Sequence, residues 1–183
     1  DGYGYMNYAC YECGVGLWIT RADGSSYCKE CQPGYYQNEG TAKPCTKCPA
    51  GYTTPHYRQV ECVPCGEGEY QNIVGEEYCK GCTAGKYNDQ TGQTSVDSCA
   101  DCDAGKFSDN GGQTSCKECD AGKFSDQEGQ TSCKGCPAGK YSDVAITNAA
   151  QCKECAAGKY NGQTDQTSVD SCADCDAGKF SDN

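Results

Sequence analysis

The stretch Cys116-Lys-Glu-Cys119-Asp-Ala-Gly122-Lys-Phe124-Ser-Asp-Gln-Glu-Gly-Gln-Thr-Ser-Cys133 contains the unit from which the whole chain is built. Two cysteines separated by two residues are followed by a glycine, an aromatic residue and a polar turn that leads to the next pair. The unit occurs ten times, and one copy lacks the aromatic residue. All 20 cysteines belong to such pairs. The cysteines therefore decide the fold.

The sequence contains a short repeat between adjacent modules and a long repeat between segments four modules apart. Residues 102–115 match 119–132 at 12 of 14 positions, and in the long repeat residues 84–110 match 157–183 at 25 of 27. Recurrence of this kind is typical of an array in which each unit contacts its neighbours. We divide the chain into a Tyr- and Gly-rich lead-in at 1–9, divergent cysteine-rich modules 1–4 at 10–81, and near-identical modules at 82–183, of which the last is truncated.

The composition favours cross-links over a large apolar interior. Leu, Ile, Val and Phe make up about 8% of the residues, below the roughly 20% under which a charged chain is expected to stay disordered. Cysteine makes up about 11%, which indicates a disulfide scaffold. Since structural disulfides persist only in oxidising compartments, the chain is predicted to be secreted or displayed at a cell surface.

The charge and hydropathy of the chain exclude several partners. A formal net charge of −11 disfavours nucleic acid and anionic membrane surfaces, both of which attract basic patches. No apolar run approaches the ~18 residues of a membrane span, so no direct membrane insertion of this segment is expected. No signal peptide is present, and we expect it to be cleaved or to lie outside this segment.

The spacing of each unit allows only small elements of secondary structure. About 17 residues can hold one short hairpin, the aromatic residue favours an extended backbone, and the Gly-, Asn- and Asp-containing stretches favour turns. No window has helical periodicity. The predicted fold class is a small disulfide-rich repeat array of short β-hairpins and loops with essentially no helix.

The cysteine pairs allow three interpretations. The spacing of successive C-x-x-C pairs is close to that of a zinc ribbon, but the uninterrupted series of pairs and the absence of apolar ribbon residues disfavour zinc. Redox catalysis of the thioredoxin type uses one C-x-x-C motif on a βαβ scaffold, and ten copies without such a scaffold disfavour it. Disulfide cross-linking is preferred, and it could follow either of two patterns. In the first, the first cysteines of adjacent modules bond each other, and so do the second cysteines. In the second, a ladder, the second cysteine of each C-x-x-C pair bonds the first cysteine of the next pair. The ladder pairs are Cys13–Cys28, Cys31–Cys45, Cys48–Cys62, Cys65–Cys79, Cys82–Cys99, Cys102–Cys116, Cys119–Cys133, Cys136–Cys152 and Cys155–Cys172.

Three positions of the unit have predicted packing or surface roles. The glycine after each pair permits a positive φ or a close backbone approach, and the lysine before the aromatic residue is expected on a solvated face or in a pair with a neighbouring chain. The aromatic residue is expected to cover the neighbouring disulfide. The predicted packing aromatics are Trp18, Tyr36, Tyr70, Tyr87, Phe107, Phe124, Tyr141, Tyr160 and Phe180.

Two further kinds of surface site have weaker sequence support. Asp101, Asp103 and Asp109 could supply oxygen ligands to calcium, although solvated turns are the preferred interpretation, and no other cofactor is expected. There is no N-x-S/T sequon. Candidate O-glycosylation sites are Thr94, Thr114, Thr131 and Thr167.

The stretch Cys133-Lys-Gly-Cys136-Pro-Ala-Gly139-Lys-Tyr141 resembles the ephrin-receptor-like cysteine-rich repeat. It is also similar to one submodule of tumour-necrosis-factor-receptor repeats. The resemblance covers residues 10–183 and departs from the pattern at Thr53 and around Trp18. It implies an elongated extracellular rod of small cross-linked modules with the ladder pairing.

Two functions are consistent with this resemblance, and neither is enzymatic, because no nucleophile–base set can be placed. The first is an extracellular structural segment that self-associates into a fibre or filament, such as a surface hair, sheath or matrix, with Cys10 and Cys175 linking successive copies. The second is the stalk or ligand-binding region of a cell-surface receptor or adhesion protein. In that case Trp18, Tyr52, His56 and Arg58 would be contacts.

Overall fold

The computed structural model describes residues 13–22, 25–39 and 43–180. Over these ranges, 18 short strands form nine antiparallel two-stranded hairpins, and the only helices are three single turns of 3-10 helix. Nine disulfides cross-link the tandem modules. The predicted fold class is therefore confirmed: a disulfide-rich array of short hairpins with almost no helix.

Each odd-numbered strand pairs with the strand that follows it. The 3-10 turns are Val96–Ser98, Ala149–Gln151 and Val169–Ser171. The strands are β1 Leu17–Ala22, β2 Ser25–Glu30, β3 Tyr35–Tyr36, β4 Thr46–Lys47, β5 Tyr52–Thr53, β6 Val63–Pro64, β7 Glu69–Tyr70, β8 Lys80–Gly81, β9 Lys86–Tyr87, β10 Ala100–Asp101, β11 Lys106–Phe107, β12 Lys117–Glu118, β13 Lys123–Phe124, β14 Lys134–Gly135, β15 Lys140–Tyr141, β16 Lys153–Glu154, β17 Lys159–Tyr160 and β18 Ala173–Asp174.

The cysteine spacing sets the position of each hairpin. After the first hairpin, the leading strand is the two residues that follow the glycine, and the returning strand is the two residues inside the next C-x-x-C pair. In β11 and β12, for example, Phe107 lies opposite Lys117, and the N–H of Cys119 donates to the carbonyl oxygen of Gly105 over 2.9 Å. The aromatic residue favours the extended backbone that the leading strand needs.

Variation in loop length is absorbed by the 3-10 turns. The sequence separation of the bonded cysteines is 14 or 15 in six hairpins, but 16 or 17 in the three hairpins that contain a 3-10 turn. Ser95 caps the first of these turns, because its Oγ accepts from the N–H of Asp97. The extra residues therefore form a compact turn and leave the cross-linked ends of the hairpin unchanged.

The disulfides join the second cysteine of each pair to the first cysteine of the next. Their Cα atoms are 5.6–5.9 Å apart, the usual range for a disulfide. Cys175 is unbonded and half-buried, and Cys10 lies outside the described residues. The bonds follow the order of the predicted ladder, namely Cys13–Cys28, Cys31–Cys45, Cys48–Cys62, Cys65–Cys79, Cys82–Cys99, Cys102–Cys116, Cys119–Cys133, Cys136–Cys152 and Cys155–Cys172.

The interior consists mainly of cystine and contains little aromatic surface. In every disulfide the cysteine that comes first in the sequence is buried, and the one apolar cluster among the described residues joins Phe124, Ile146 and two half-cystines. Of the nine predicted packing aromatics, only Phe124 is buried. Tyr160 and Phe180 are exposed, by 53% and 80%, and the others are half-buried.

The chain divides into two compact units. The first comprises residues 1–65, 71–79 and 92–94 and contains β1 to β6. The second comprises residues 66–70, 80–91 and 95–183 and contains β7 to β18 with the three 3-10 turns. Among the described residues, no helix is long and apolar enough to span a bilayer.

Candidate functional site

The feature that recurs along both units is the junction, by which we mean the contact between one disulfide-closed hairpin and the next. Three backbone hydrogen bonds form the junction between hairpins 102–116 and 119–133. The N–H of Gly105 donates to the carbonyl oxygen of Ser125 (2.8 Å), the N–H of Ser108 to that of Gln130 (3.0 Å), and the N–H of Gly129 to that of Cys102 (2.8 Å). The junction therefore uses main-chain groups, which sequence divergence does not remove.

The first of these bonds recurs at equivalent positions in both units. In each case, the glycine after a cysteine pair donates to the residue that follows the aromatic position of the next hairpin. The pairs are Gly16–Gln37, Gly34–Thr54, Gly51–Gln71, Gly68–Asn88, Gly85–Ser108, Gly105–Ser125 and Gly139–Asn161, with N···O distances of 2.7–2.9 Å.

The backbone of a loop also approaches the same glycine closely, and this loop belongs to the second hairpin along the chain. Gly85 has a φ of +84°, and a Cβ added there would lie 2.1 Å from the carbonyl oxygen of Gly129. Gly34 stands in the same relation to Gly75. No side chain fits in this space, and a positive φ is itself costly for a residue with a Cβ. Each hairpin therefore contacts its second neighbour as well as its first, which is more than the expected contact between adjacent modules.

A buried polar residue follows the aromatic position in eight hairpins. Gln71 shows its role, because its Oε1 accepts from the N–H of Ile73 (3.1 Å) and its Nε2 donates to the carbonyl oxygen of Tyr78 (2.5 Å). The side chain thus ties two backbone groups of its own loop to the interior of the hairpin. The residues are Gln37, Thr54, Gln71, Asn88, Ser108, Ser125, Ser142 and Asn161.

This buried position was not predicted from the sequence, although the sequence contains a signal for it. The residue after the aromatic position is always Gln, Thr, Asn or Ser in these eight hairpins. Asn88 also donates from Nδ2 to the carbonyl oxygen of Glu69 (3.1 Å) in the preceding hairpin. Asn161 occupies the equivalent position in the second copy of the long repeat, and its buried Nδ2 has no partner among the described residues.

Lysine–aspartate pairs lie on the outside of three consecutive hairpins. Lys117 donates to Asp109 (2.8 Å), Lys134 to Asp126 (2.9 Å) and Lys153 to Asp143 (2.7 Å). Each hydrogen bond holds the pKa of the aspartate below its ordinary value, and the bond to Asp143 raises the pKa of Lys153. Lys117 and Lys153 also lie 5.9 and 6.0 Å from the ring centres of Phe107 and Tyr141.

The lysine that precedes the aromatic residue forms a second series of ion pairs. Lys86, Lys140 and Lys159 each reach an acidic residue on the returning strand of their own hairpin, namely Asp101 (2.7 Å), Glu154 (2.9 Å) and Asp174 (2.7 Å). These lysines were expected on a solvated face or in a pair with another chain. The pairing across the hairpin arises because the register places the two side chains opposite each other.

The other candidate surface residues are dispersed. Asp101 and Asp109 are engaged by lysines, and the described part of the chain contains no cluster of acidic, His or Cys residues that could hold a metal ion. The four candidate O-glycosylation residues, Thr94, Thr114, Thr131 and Thr167, are all exposed.

The proposed receptor contacts differ in their exposure. Trp18 is half-buried, whereas Tyr52, His56 and Arg58 are exposed. Arg58 lies 3.7 Å from the carboxylate of Glu30 and has a positive φ of 61°. The structure therefore presents three of the four residues to solvent.

Comparison with known proteins gives one family match. The model of the family described as "Tyrosine-protein kinase ephrin type A/B receptor-like" matches residues 19–59, 56–99 and 105–146, which together cover about two thirds of the chain. No curated protein matches. The matched repeat is a non-catalytic module type of extracellular proteins, in agreement with the nine disulfides. The resemblance stated from the sequence is confirmed: this chain belongs to the ephrin-receptor-like family of cysteine-rich repeats.

Proposed function

We propose that this chain is a structural segment of an extracellular protein and that it associates with further copies of itself into a fibre, such as a surface hair, sheath or matrix filament. The observation that supports this function best is the repetition of the junction. The same backbone groups meet from hairpin to hairpin, so that near-identical hairpins present equivalent surfaces at fixed intervals along the chain.

Exposed apolar side chains at equivalent positions favour lateral association. Val96 and Val169 occupy equivalent positions of the long repeat and are exposed by 50% and 51%, and Val144 is exposed by 56% in another of the long loops. Hairpins with so little apolar interior would gain stability if these side chains were covered by another copy.

A cross-link between copies is part of this proposal. Cys175 carries a free thiol at the position that Cys102 occupies in its own disulfide. In our proposal it bonds Cys10 of the following copy and continues the ladder from one copy to the next. Non-reducing peptide mapping of assembled material should yield a peptide that joins Cys175 to Cys10, and free thiols at both positions would contradict this cross-link.

The fibre proposal is tested by imaging and by sedimentation of the oxidised chain. We expect filaments in electron micrographs and a sedimentation coefficient that rises with concentration. The double substitution V96S/V169S should reduce association, whereas Val63→Thr, which changes a valine of similar exposure (47%) in β6, should not. A species that stays monomeric at millimolar concentration would overturn the proposal.

A receptor stalk or ligand-binding region is the second candidate. The observation in its favour is that the divergent hairpins of the first unit carry exposed tyrosines, among them Tyr52, Tyr57 and Tyr78, and tyrosine is enriched at protein interfaces. Non-fibrous material that binds a partner through these hairpins would favour this function over the first.

A further inference from the structure

Loops of three consecutive hairpins in the first unit line an open groove of about 570 Å³. Pro33 and Tyr35 belong to hairpin 31–45, Tyr57 belongs to hairpin 48–62, and the segment from Glu76 to Tyr78 belongs to hairpin 65–79. The groove therefore exists only because successive hairpins are held in sequence by their junctions.

The groove combines aromatic rings with negative charge. Tyr57 and Tyr78 are each exposed by 61%, and Glu76 and Glu77 are exposed carboxylates. Neither glutamate forms an ion pair with any residue that the structure describes, and the groove lining contains no lysine or arginine. Carboxylates beside open ring faces form an environment that attracts cations.

The walls of the groove are fixed by hydrogen bonds from the hairpin interior. The Gln71 side chain donates to the carbonyl oxygen of Tyr78 (2.5 Å), and Thr53 Oγ1 donates to that of Glu76 (3.0 Å). The N–H of Gly75 donates to the carbonyl oxygen of Cys48 (2.9 Å). Because the backbone is already ordered, a ligand would not have to order these loops when it binds.

The side chains of Glu76, Glu77 and Tyr78 are not needed for the hairpin to fold. Hairpins 102–116 and 119–133 have the same length as hairpin 65–79. They carry Gln, Thr and Ser at the positions of Glu76, Glu77 and Tyr78. The hairpin therefore folds with small neutral residues at these three positions, and the acidic and aromatic side chains need another explanation.

We propose that this groove binds an extended peptide segment that carries lysine or arginine side chains. The cationic groups would lie over the rings of Tyr57 and Tyr78 and pair with Glu76 and Glu77. A similar contact already exists beside the groove, where the ammonium group of Lys47 lies 6.0 Å from the ring centre of Tyr35. This inference goes beyond the proposed fibre and does not depend on it.

The test uses the full oxidised chain and a fluorescein-labelled heptapeptide, Gly-Arg-Gly-Arg-Gly-Arg-Gly, with blocked ends. Fluorescence anisotropy at physiological salt should show saturable binding. The same peptide with citrulline at each arginine position keeps the shape without the charge and should bind at least about tenfold more weakly. Equal binding of the two peptides would overturn the proposal.

Matched variants separate the groove from the general negative charge of the chain. E76Q/E77T and Y57V/Y78S introduce residues found at the same positions of other hairpins, and each should weaken binding by about threefold to tenfold. E118Q/E128Q removes two exposed carboxylates of the second unit, and Tyr27→Ser changes an exposed tyrosine that, like Tyr78, directly precedes a cysteine. Neither control should change the affinity more than twofold. Equal losses in E76Q/E77T and E118Q/E128Q would show diffuse attraction and overturn the site.

Discussion

Among single residues, the glycine that follows each cysteine pair carries the strongest structural constraint. It adopts a positive φ, and at six positions it leaves room for the carbonyl group of a loop two hairpins away. The chain offers a natural comparison, because Gly85 and Gly158 lie at equivalent positions of the long repeat and have φ values of +84° and +78°. Only Gly85 has a described backbone atom in the space that a Cβ would occupy.

We predict that Gly85→Ala destabilises the second unit more than Gly158→Ala does. Both substitutions place a Cβ at a positive φ, which costs about 1–2 kcal/mol. Gly85→Ala must in addition displace the loop of hairpin 119–133 from a 2.1 Å approach. Hydrogen exchange of the Gly129 amide, which donates to Cys102, reports this displacement. The amide should exchange faster in Gly85→Ala and at the wild-type rate in Gly158→Ala, and equal rates in the two variants would contradict the close approach.

The sequence predicted some of these residue roles and missed others. The permissive glycine could be identified because it recurs in every unit. The nine predicted packing aromatics differ in burial, from Phe124 at 6% exposed to Phe180 at 80%, and their role in covering the disulfides stays a prediction. The buried residue after the aromatic was missed because its partners, such as the carbonyl oxygen of Tyr78 for Gln71, are loop backbone groups whose positions the sequence pattern does not specify.

The surface ion pairs predict a pH dependence of stability. Hydrogen bonds from lysine lower the pKa of Asp109, Asp126 and Asp143 in the folded chain. A lowered carboxyl pKa contributes stability that is present above the unfolded value of about 4 and is lost as the pH falls through the folded value. Unfolding should therefore become easier on acidification below about pH 4, by a modest amount because all three pairs are exposed.

A carboxyl NMR titration of one variant checks the cause of this pH dependence. Lys117→Met keeps most of the side chain over Phe107 but removes the ammonium group that bonds Asp109. The pKa of Asp109 should rise towards its ordinary value in this variant, while that of Asp126, which is bonded by Lys134, should stay unchanged. An unchanged pKa of Asp109 would show that the ion pair does not persist in solution.

At the scale of the element, each hairpin after the first is too short to be stable without its cross-link. Two strands of two residues form few backbone hydrogen bonds, and an isolated hairpin is marginal in water. A disulfide that closes a loop of about 15 residues contributes roughly 3 kcal/mol in the chain-entropy model. Cysteine spacing was therefore sufficient to predict the hairpins, whereas the junction bonds, which depend on how one loop lies against the next, could not be predicted from the sequence.

We predict that removal of one disulfide affects the preceding hairpin as well as its own. In C119S/C133S the loop of hairpin 119–133 is released, and this loop supplies Gln130 as an acceptor for Ser108 and Gly129 as a donor to Cys102. The amides of Ser108 and Gly129 should both exchange faster.

The matched control for this prediction is C155S/C172S, which opens hairpin 155–172. None of the junction bonds of hairpin 102–116 involves that hairpin. Its removal should leave the exchange of the Ser108 and Gly129 amides unchanged. Similar acceleration in both double variants would mean that the second unit opens as one body and that the junctions are not local.

At the scale of the whole molecule, stability is expected to be the sum of hairpin and junction contributions. Repeat arrays behave in this way because each unit contacts only nearby units. Unfolding of the chain need not be a single two-state step, and local opening is the informative quantity. The contacts to both first and second neighbours make a hairpin that is followed by two others harder to open than one that lacks such partners.

The long repeat allows this difference to be measured within one chain. The amides of Cys99 and Cys172 each donate within a 3-10 turn of the same local sequence, over 3.0 Å to Val96 and to Val169. Their intrinsic exchange rates should therefore be closely similar. Hairpin 82–99 makes three junction bonds to the following hairpin, through Gly85, Asn88 and Cys82. Among the described residues, hairpin 155–172 makes no such set of junction bonds to a following hairpin.

We therefore expect the amide of Cys99 to exchange more slowly than that of Cys172 in a protein whose chain ends at Asn183. Two of the three junction bonds, to the carbonyl oxygen of Gln113 and from the N–H of Gly112, have counterparts that would need residues after Asn183. At about 1 kcal/mol each they correspond to a difference on the order of 30-fold. Fusion of a copy of residues 111–133 after Asn183 would supply these two bonds and should slow the exchange at Cys172 towards that at Cys99. Equal exchange at the two amides before fusion would show that the hairpins are stabilised by their disulfides alone and that the junctions contribute little.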